Sequence, residues 1–296
     1  CTQKPADNVA ANTVSTASIT LPYDLEHPSL TINLASEDLK EISGISATKV
    51  AGQYLAIADE RGEIFFVDGN NNGSISRRVL FREKGDFEDV QMVNNNIWAI
   101  KSDGKLFEIS DWENNPPKVA EFETSLQKKD DVEGLGFDPA RDVLFLACKG
   151  DPDSAYWRNI FTFDLETKQL DPKPTYAIDP TEVNRFVPYN ETEKHDFFSP
   201  SGVAVHPKTG DLYVISAALK RLVILDKNSG KILYACRLDK KMLPQPEGIA
   251  FDSNGNLVAT DDDSGTAALS QLSFGNVGPR PAPGDGLPYA GQNGNL

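Results

Sequence analysis

Acidic or serine residues recur at the start of short apolar segments, and each is followed by glycine or another small residue. The motifs begin at Ser43, Glu88, Glu133, Ser201 and Glu247. If the segments are copies of one structural unit, these side chains occupy equivalent positions and converge in space. Carboxylates that converge repel one another unless a cation or a basic side chain compensates them. The first chemistry that the sequence suggests is therefore the binding of positive charge.

The spacing of these motifs is nearly constant. Successive motifs lie 45, 45, 68 and 46 residues apart, so the third interval carries an insert of about 22 residues. A period near 45 residues is the length of one four-stranded blade of a β-propeller. The repeat therefore indicates consecutive blades whose first strands begin at the motifs.

Each unit also contains several predicted strands. In the first unit, the runs YLAIA (54–58) and EIFFV (63–67) are separated by a polar turn with glycine, as in a β-hairpin. The pattern predicts an all-β fold, a β-propeller of five blades; a sixth blade would require segment 179–198 to hide a degenerate unit. The fifth unit lacks an outer strand, and we expect segment 30–34 to supply it and close the ring.

The domain organisation follows from this pattern. We expect a flexible tether over residues 1–18, a single propeller over 19–274 with an insertion near 179–198, and a Gly/Pro/Asn-rich tail over 275–296. Five blades in one ring bury enough surface for the domain to be stable without partners, so we expect a monomer.

Net charge and the N-terminal residue bear on partners and location. A net charge of −15 argues against nucleic acid, whose phosphates the surface would repel. The sequence has no apolar run of the ~18 residues that span a bilayer. Cys1 followed by a polar stretch is typical of a lipoprotein, so we expect membrane contact only through a lipid on Cys1. This predicts a cell-envelope protein, anchored to the outer membrane or exported to the periplasm or surface.

Three segments carry a resemblance to a known family. The segments DFEDVQMVNNNIWAIKSDGKLFEI (86–109), DDVEGLGFDPARDVLFLACKG (130–150) and PQPEGIAFDSNGNLVATDDD (244–263) resemble the SdiA-regulated family of cell-envelope β-propellers. The chain is also similar to phytase-like and esterase-like secreted propellers, which bind calcium. The resemblance implies the propeller fold and leaves the biochemical activity unassigned.

Propeller geometry places the candidate site residues on one face. The first strand of each blade lines the central channel, and the loop before it opens on the same face as the loop between the second and third strands. We call the mouth of the channel on this face the funnel. The predicted ligand-binding residues of the funnel are Glu88, Glu133, Glu247, Asp59, Arg61, Lys101, Lys149 and Asp261.

The acidic members of the funnel suggest a metal site. Glu88, Glu133, Glu247 and Asp262 are the predicted ligands, and calcium is the predicted cofactor because it accepts six to eight oxygen ligands in a flexible geometry. In the alternative interpretation the glutamates link neighbouring blades and the basic residues serve as their counter-charges. The three histidines lack zinc-ligand spacing, and the chain contains neither a P-loop nor a dinucleotide fingerprint.

Two classes of function therefore stay open. The first is a non-enzymatic propeller that binds a small ligand, a cation or an envelope protein on the funnel face. The second is a calcium-dependent hydrolase of phosphate or carboxylic esters. The sequence offers no identifiable nucleophile or general base, which favours the binding propeller, and it predicts no catalytic residue.

Overall fold

Strands make up most of the computed structural model, which describes residues 21–25, 27–34, 36–150, 157–189, 197–263 and 266–275. The first strands are β1 (Leu30–Leu34), β2 (Ile42–Ala47), β3 (Gln53–Ala58), β4 (Arg61–Asp68), β5 (Ser74–Arg82), β6 (Phe87–Val93), β7 (Asn96–Lys101), β8 (Leu106–Ser110), β9 (Lys118–Phe122) and β10 (Val132–Asp138). The remaining strands are β11 (Val143–Cys148), β12 (Arg158–Asp164), β13 (Gln169–Leu170), β14 (Tyr176–Ile178), β15 (Gly202–Val205), β16 (Leu212–Ser216), β17 (Arg221–Leu225), β18 (Ile232–Arg237), β19 (Pro246–Phe251), β20 (Leu257–Asp263) and β21 (Thr266–Leu272). The helices within these ranges are α1 (Pro180–Phe186) and two 3-10 turns, Glu37–Leu39 and Gly69–Asn71.

The strands form five antiparallel sheets arranged as the blades of a propeller. Blade 1 is β2–β5, blade 2 is β6–β9, and blade 3 is β10–β13 with β14 also paired to β12. Blade 4 is β15–β18, and blade 5 is ordered β19, β20, β21, β1. The first strand of each blade contacts the first strand of the next, and β19 contacts β2, so the ring is closed. The prediction of a five-bladed propeller is confirmed.

The N-terminal strand closes the ring as the sequence predicted. β1 pairs antiparallel with β21, and the register runs from Leu30 opposite Gln271 to Leu34 opposite Ala267. Blade 5 therefore takes its outer strand from one end of the described chain and its three inner strands from the other. This arrangement ties the two ends together and completes the last blade.

Glycine in the repeat motif allows the inner strands to approach one another closely. A Cβ atom on Gly134 would lie 2.9 Å from the backbone nitrogen of Val203 in blade 4. A Cβ atom on Gly202 would lie 2.8 Å from the carbonyl oxygen of Glu247 in blade 5. Any side chain at these two positions would force neighbouring blades apart, so the sequence motif reflects crowding near the axis.

In the described part of the chain the core consists of five apolar clusters, and each cluster fills the seam between two neighbouring blades. One example joins blades 1 and 2 through Leu55, Ile64, Val90 and Phe107, all of which are buried. Each blade has a neighbouring blade on both sides, so its strands carry apolar residues on both faces. These residues supply the contacts. The seams therefore hold the blades at fixed angles around the axis.

The described part of the insertion, residues 179–189 and 197–198, lies beside blades 3 and 4. Asp179 caps the N-terminus of α1 by accepting from the backbone N–H of Thr181 at 2.7 Å. Val183 of α1 and Phe198 are buried in the apolar cluster between these blades, and α1 contacts β18. Within the described residues, no helix is long and apolar enough to cross a membrane.

Candidate functional site

The motif residues lie where the inner strands are irregular. The pairing register shifts between Ile42 and Gly44 in β2, between Phe87 and Asp89 in β6, and between Val132 and Gly134 in β10. Each shift places the motif residue (Ser43, Glu88 or Glu133) in a β-bulge. A bulge leaves its extra residue outside the hydrogen-bond ladder and redirects the side chain. The same irregularity occurs in β19 around Glu247.

The bulged glutamates of blades 2, 3 and 5 form one electrostatic group in the funnel. Burial, together with the charges of Glu133, Asp86 and Asp131, raises the pKa of Glu88 to about 8. Burial also raises the pKa of Glu247 to about 7, and Glu133 contributes to that shift. Glu133 therefore lies close enough to influence the pKa of both other glutamates.

Among the described residues, Lys149 is the basic side chain that reaches this group. Its Nζ lies 2.9 Å from Oε1 of Glu133, whose side chain is only 12% exposed. Burial alone would lower the pKa of Lys149, but Glu133, Asp131 and Glu247 outweigh it and raise that pKa. The pKa of Glu133 is raised, chiefly by burial, although the charge and the hydrogen bond of Lys149 act to lower it. The charge of Lys149 thus lowers the pKa of all three glutamates.

The glutamates differ in their hydrogen-bond partners. Glu247 accepts from the amide Nε2 of Gln245 at 3.0 Å, and Glu133 accepts from Lys149. Within the described part of the chain, the Glu88 carboxylate has neither a hydrogen-bond partner nor an ion-pair partner. Glu88 is therefore the member of the group whose charge is least compensated.

The serine motifs of blades 1 and 4 have a different role. Ser43 Oγ donates to the carbonyl oxygen of Phe87 in blade 2 at 2.9 Å. Ser201 Oγ donates to the carbonyl oxygen of Pro246 in blade 5 at 2.7 Å and accepts from the backbone N–H of Ala217. These hydroxyls link one blade to the next, which is the role that the alternative interpretation assigned to the glutamates.

The predicted funnel residues of blade 1 lie beside other acidic and basic groups. Burial raises the pKa of Asp59, and Glu41, Glu60 and Asp86 add to the shift. Arg61 forms ion pairs with Glu63 at 3.3 Å and with Glu83 at 3.8 Å. The structure thus places Arg61 among the acidic side chains of its own blade and of the loop that follows it.

Of the remaining predicted residues, Lys101 and Asp261 contact nearby backbone or side chains, and Asp262 lies near the glutamate group. Lys101 Nζ lies 3.2 Å from Asp103 Oδ2 in the same turn. The Asp261 carboxylate is buried and accepts from the backbone N–H of Gln245 at 2.5 Å, so it supports the segment that leads to Glu247. Asp262 is close enough to Glu247 to raise its pKa.

The predicted calcium site stays a prediction. Among the described residues, no three His, Cys, Asp or Glu side chains are already arranged to hold a metal ion. Glu88, Glu133, Glu247 and Asp262 share one electrostatic environment, but Lys149 occupies one side of Glu133. A cation that entered the group would therefore act together with Lys149 or displace it.

Sequence reasoning assigned no separate role to Asp89, which takes the place of the motif glycine in blade 2. Its carboxylate is fully buried and accepts from the backbone N–H of Val90 at 2.8 Å and of Leu135 at 2.7 Å. Burial raises its pKa, although these bonds and a third from the Ile45 N–H lower it. Asp89 thus joins blades 1, 2 and 3. The signal in the sequence was the replacement of glycine by aspartate.

Comparisons with known proteins identify the family of the chain. The sequence profile of the SdiA-regulated family matches residues 23–261, and no curated protein matches the chain. Among solved structures, the chain is similar to one described as a streptogramin B lyase, with 14% sequence identity and a TM-score of 0.43. That match covers 78% of this chain and 65% of the other. Because the family profile spans most of the propeller, the chain belongs to the SdiA-regulated family.

Proposed function

We propose that this propeller is a cell-envelope binding protein whose funnel captures a positively charged ligand. The observation that carries the proposal is the convergence of Glu88, Glu133 and Glu247 on one lysine, Lys149. Among the described residues the three carboxylates have one basic partner, so in their ionised form they carry an excess of negative charge at the mouth of the channel. A bound cation would relieve their mutual repulsion.

The protonation of the glutamates supports the same conclusion. With a pKa of about 8 for Glu88 and about 7 for Glu247, both carboxylates hold a proton for much of the time at neutral pH. A cation that interacts with the ionised form displaces these protons and gains the full charge of the group. The site therefore favours ligands that carry more than one positive charge.

Two sources of positive charge fit the funnel. A divalent metal such as calcium would take carboxylate and carbonyl oxygens as ligands. An organic diamine would instead donate hydrogen bonds from its ammonium groups to the same carboxylates. Both kinds of ligand require the glutamate group. They differ in whether magnesium competes for the site, since magnesium demands a tighter octahedral geometry than calcium.

Titration with three cations tests the proposal. Calcium chloride, magnesium chloride and putrescine are added at constant ionic strength to the cation-free protein, and the heat of binding and the melting temperature are measured. A ligand that binds only the folded state stabilises it by about 2.7 kcal/mol at 100 times its dissociation constant. We expect this effect with calcium or putrescine, and we expect Glu133→Gln to weaken it because one anionic group is lost.

The matched control is Glu166→Gln, in the turn between β12 and β13 on the face opposite the funnel. It removes the same charge from the protein and should leave cation binding unchanged. If none of the three cations stabilises the protein, or if both variants behave alike, the funnel is not a cation site.

The proposal also includes lipid attachment at Cys1, which lies outside the described residues. Mass spectrometry of the protein recovered from bacterial membranes should show acyl chains on Cys1, and an unmodified Cys1 would contradict the anchor. Ester hydrolysis with calcium remains the other prediction from sequence. A panel of phosphate esters and lactones, each assayed with and without calcium, is its direct test.

A further inference from the structure

A second concave region lies between blades 1 and 2 on the face opposite the funnel. It is a cleft of about 370 Å³, which we call the seam cleft. Six of the residues that line it are Lys49, Gln53, Met92, Asn94, Trp112 and Glu113. Its volume is at the lower end of the ~300–1,000 Å³ that small-molecule sites occupy.

Three loops build the seam cleft, and the strand order fixes their position. They are the β2–β3 and β6–β7 loops, which follow the inner strands of the two blades, and the β8–β9 loop of blade 2. Loops that follow the inner strands open on the face opposite the loops that precede them. The seam cleft therefore shares no residue with the funnel.

Contacts between the two blades hold the walls of the seam cleft in place. Lys49 Nζ of blade 1 donates to Asn95 Oδ1 of blade 2 at 2.7 Å. The indole Nε1 of Trp112 donates to the Asn95 carbonyl oxygen at 2.9 Å, and the Trp112 ring packs 4.9 Å from that of Phe66. The tryptophan is thus fixed across the seam, as a binding surface requires.

Polar groups at the rim are available to a ligand. Within the described part of the chain, the side chains of Asn94 and Glu113 make neither hydrogen bonds nor ion pairs, although both line the cleft. Asn94 has a φ of 55°, so its position is set by a left-handed turn. An amide offers both a donor and an acceptor, and a carboxylate offers acceptors only.

The charge of the seam cleft is nearly balanced. Lys49 and Glu113 carry opposite signs, and the third charged residue of the lining, Asp111, is paired with Lys118 at 2.5 Å. Neither an anionic nor a cationic ligand would therefore be strongly attracted. This distinguishes the seam cleft from the funnel, where three carboxylates surround one lysine.

We propose that the seam cleft binds a neutral saccharide of one or two rings. Each sugar hydroxyl both donates and accepts, which matches the mixed amide, carboxylate and ammonium groups of the rim. The C–H faces of a sugar ring are apolar and fit against Trp112, Met92 and the exposed Val50. A site with one aromatic surface, several amides and little net charge suits this class of ligand.

Titration with sugars tests the proposal. N-acetylglucosamine, its β1,4-linked disaccharide, maltose and cellobiose are titrated while tryptophan fluorescence and the heat of binding are recorded. We expect saturable binding of at least one of them. Replacement Asn94→Gly keeps the left-handed turn and removes the amide, and it should weaken that binding about tenfold, as loss of one or two hydrogen bonds implies.

The matched control is Asn72→Gly. Asn72 also occupies a left-handed turn, with a φ of 52°, and lies outside the lining of the seam cleft. This variant should bind the same sugar as the parent does. A second variant, Trp112→Phe, keeps an aromatic ring and should lose both affinity and most of the fluorescence change.

Three outcomes would overturn the proposal. The first is a lack of saturation with every neutral sugar, and the second is an equal loss of affinity in Asn94→Gly and Asn72→Gly. The third concerns tri-alanine, a peptide, and sialyllactose, an anionic sugar, which are titrated in the same way: binding of either in preference to all neutral sugars. The cation titrations of the funnel give an independent result, because the two sites lie on opposite faces and have no residue in common.

Discussion

Blades 1 and 4 carry serine at the motif position where blades 2, 3 and 5 carry glutamate. The short hydroxyls of Ser43 and Ser201 bind carbonyl oxygens of the next blade, at 2.9 Å and 2.7 Å. The longer side chains of Glu88, Glu133 and Glu247 instead converge in the funnel, where their pKa values are raised. One backbone position thus holds the ring together in two blades and forms a charged site in the other three.

The comparison teaches that a repeat position does not define a role by itself. A bulged residue near the axis can satisfy a neighbouring backbone group, or it can extend toward the channel, and side-chain length decides between the two. In blade 2, the link between blades passes to the residue after the glutamate, Asp89, which accepts from Val90 and Leu135. Glu88 therefore does not make the link between blades, and its side chain extends toward the funnel.

The largest expected effect is the loss of Asp89. Replacement Asp89→Ala leaves the buried N–H groups of Val90 and Leu135 without their partner, so we expect the free energy of unfolding to fall by about 3–5 kcal/mol. Denaturant unfolding measures it. The exposed Asp171 provides the control, because Asp171→Ala should change stability by less than about 0.5 kcal/mol. Equal effects of the two substitutions would show that Asp89 does not link the blades.

The next effect concerns pH. The folded-state pKa of Glu88 is about 8 and its ordinary value is 4.5, so the folded protein holds a proton that the unfolded chain releases. The contribution of Glu88 to stability should therefore fall as pH rises from about 4.5 to about 8 and stay level above that range. We expect Glu88→Gln to reduce this fall by about 2 kcal/mol once solvent screening is included.

Unfolding of parent and variant in cation-free buffer at pH 5, 7 and 9 measures this difference. Glu133, Asp86, Asp131 and Lys149 also act on Glu88, and all remain in the variant. His206 has a lowered pKa and shifts stability in the opposite direction below its ordinary pKa of 6.5, but it does so equally in both proteins. Parallel stability curves for parent and variant would exclude a raised pKa at Glu88.

The smallest expected effect on stability is the loss of the Ser201 hydroxyl. Ser201→Ala removes the donor to the Pro246 carbonyl oxygen and the acceptor for the Ala217 N–H, so we expect a loss of about 1–2 kcal/mol. Cation binding should be unchanged, because the hydroxyl does not belong to the glutamate group. Ser125→Ala, at an exposed position, is the control for stability. Weaker cation binding in Ser201→Ala would mean that a serine blade also contributes to the cation site, which would contradict the distinction between serine and glutamate blades.

The fold could be predicted because the motif and its period both reflect a backbone requirement. Glycines such as Gly134 and Gly202 recur where inner strands nearly touch, so their spacing reports the length of a blade. The pairing of β1 with β21 followed from a missing outer strand in the last unit. These features are local or periodic, and a sequence pattern displays them directly.

The site was predicted less completely, because its chemistry depends on contacts between blades. Arg61 and Lys149 both occupy predicted funnel positions, yet Lys149 meets Glu133 and Arg61 meets Glu63. Their sequence contexts do not distinguish these partners. The seam cleft was not predicted either, since Trp112 and Lys49 are far apart in sequence and come to share a partner, Asn95, only through the packing of blades 1 and 2.

The most direct test of the central claim is the number of protons released when a cation binds the funnel. Calorimetric titration at pH 7 in two buffers with different ionisation enthalpies gives this number. With a pKa of about 8 for Glu88 and about 7 for Glu247, we predict release of about one to one and a half protons per bound cation at pH 7 and almost none at pH 9. Cation binding without proton release at pH 7 would contradict the account, as would unchanged release in Glu88→Gln.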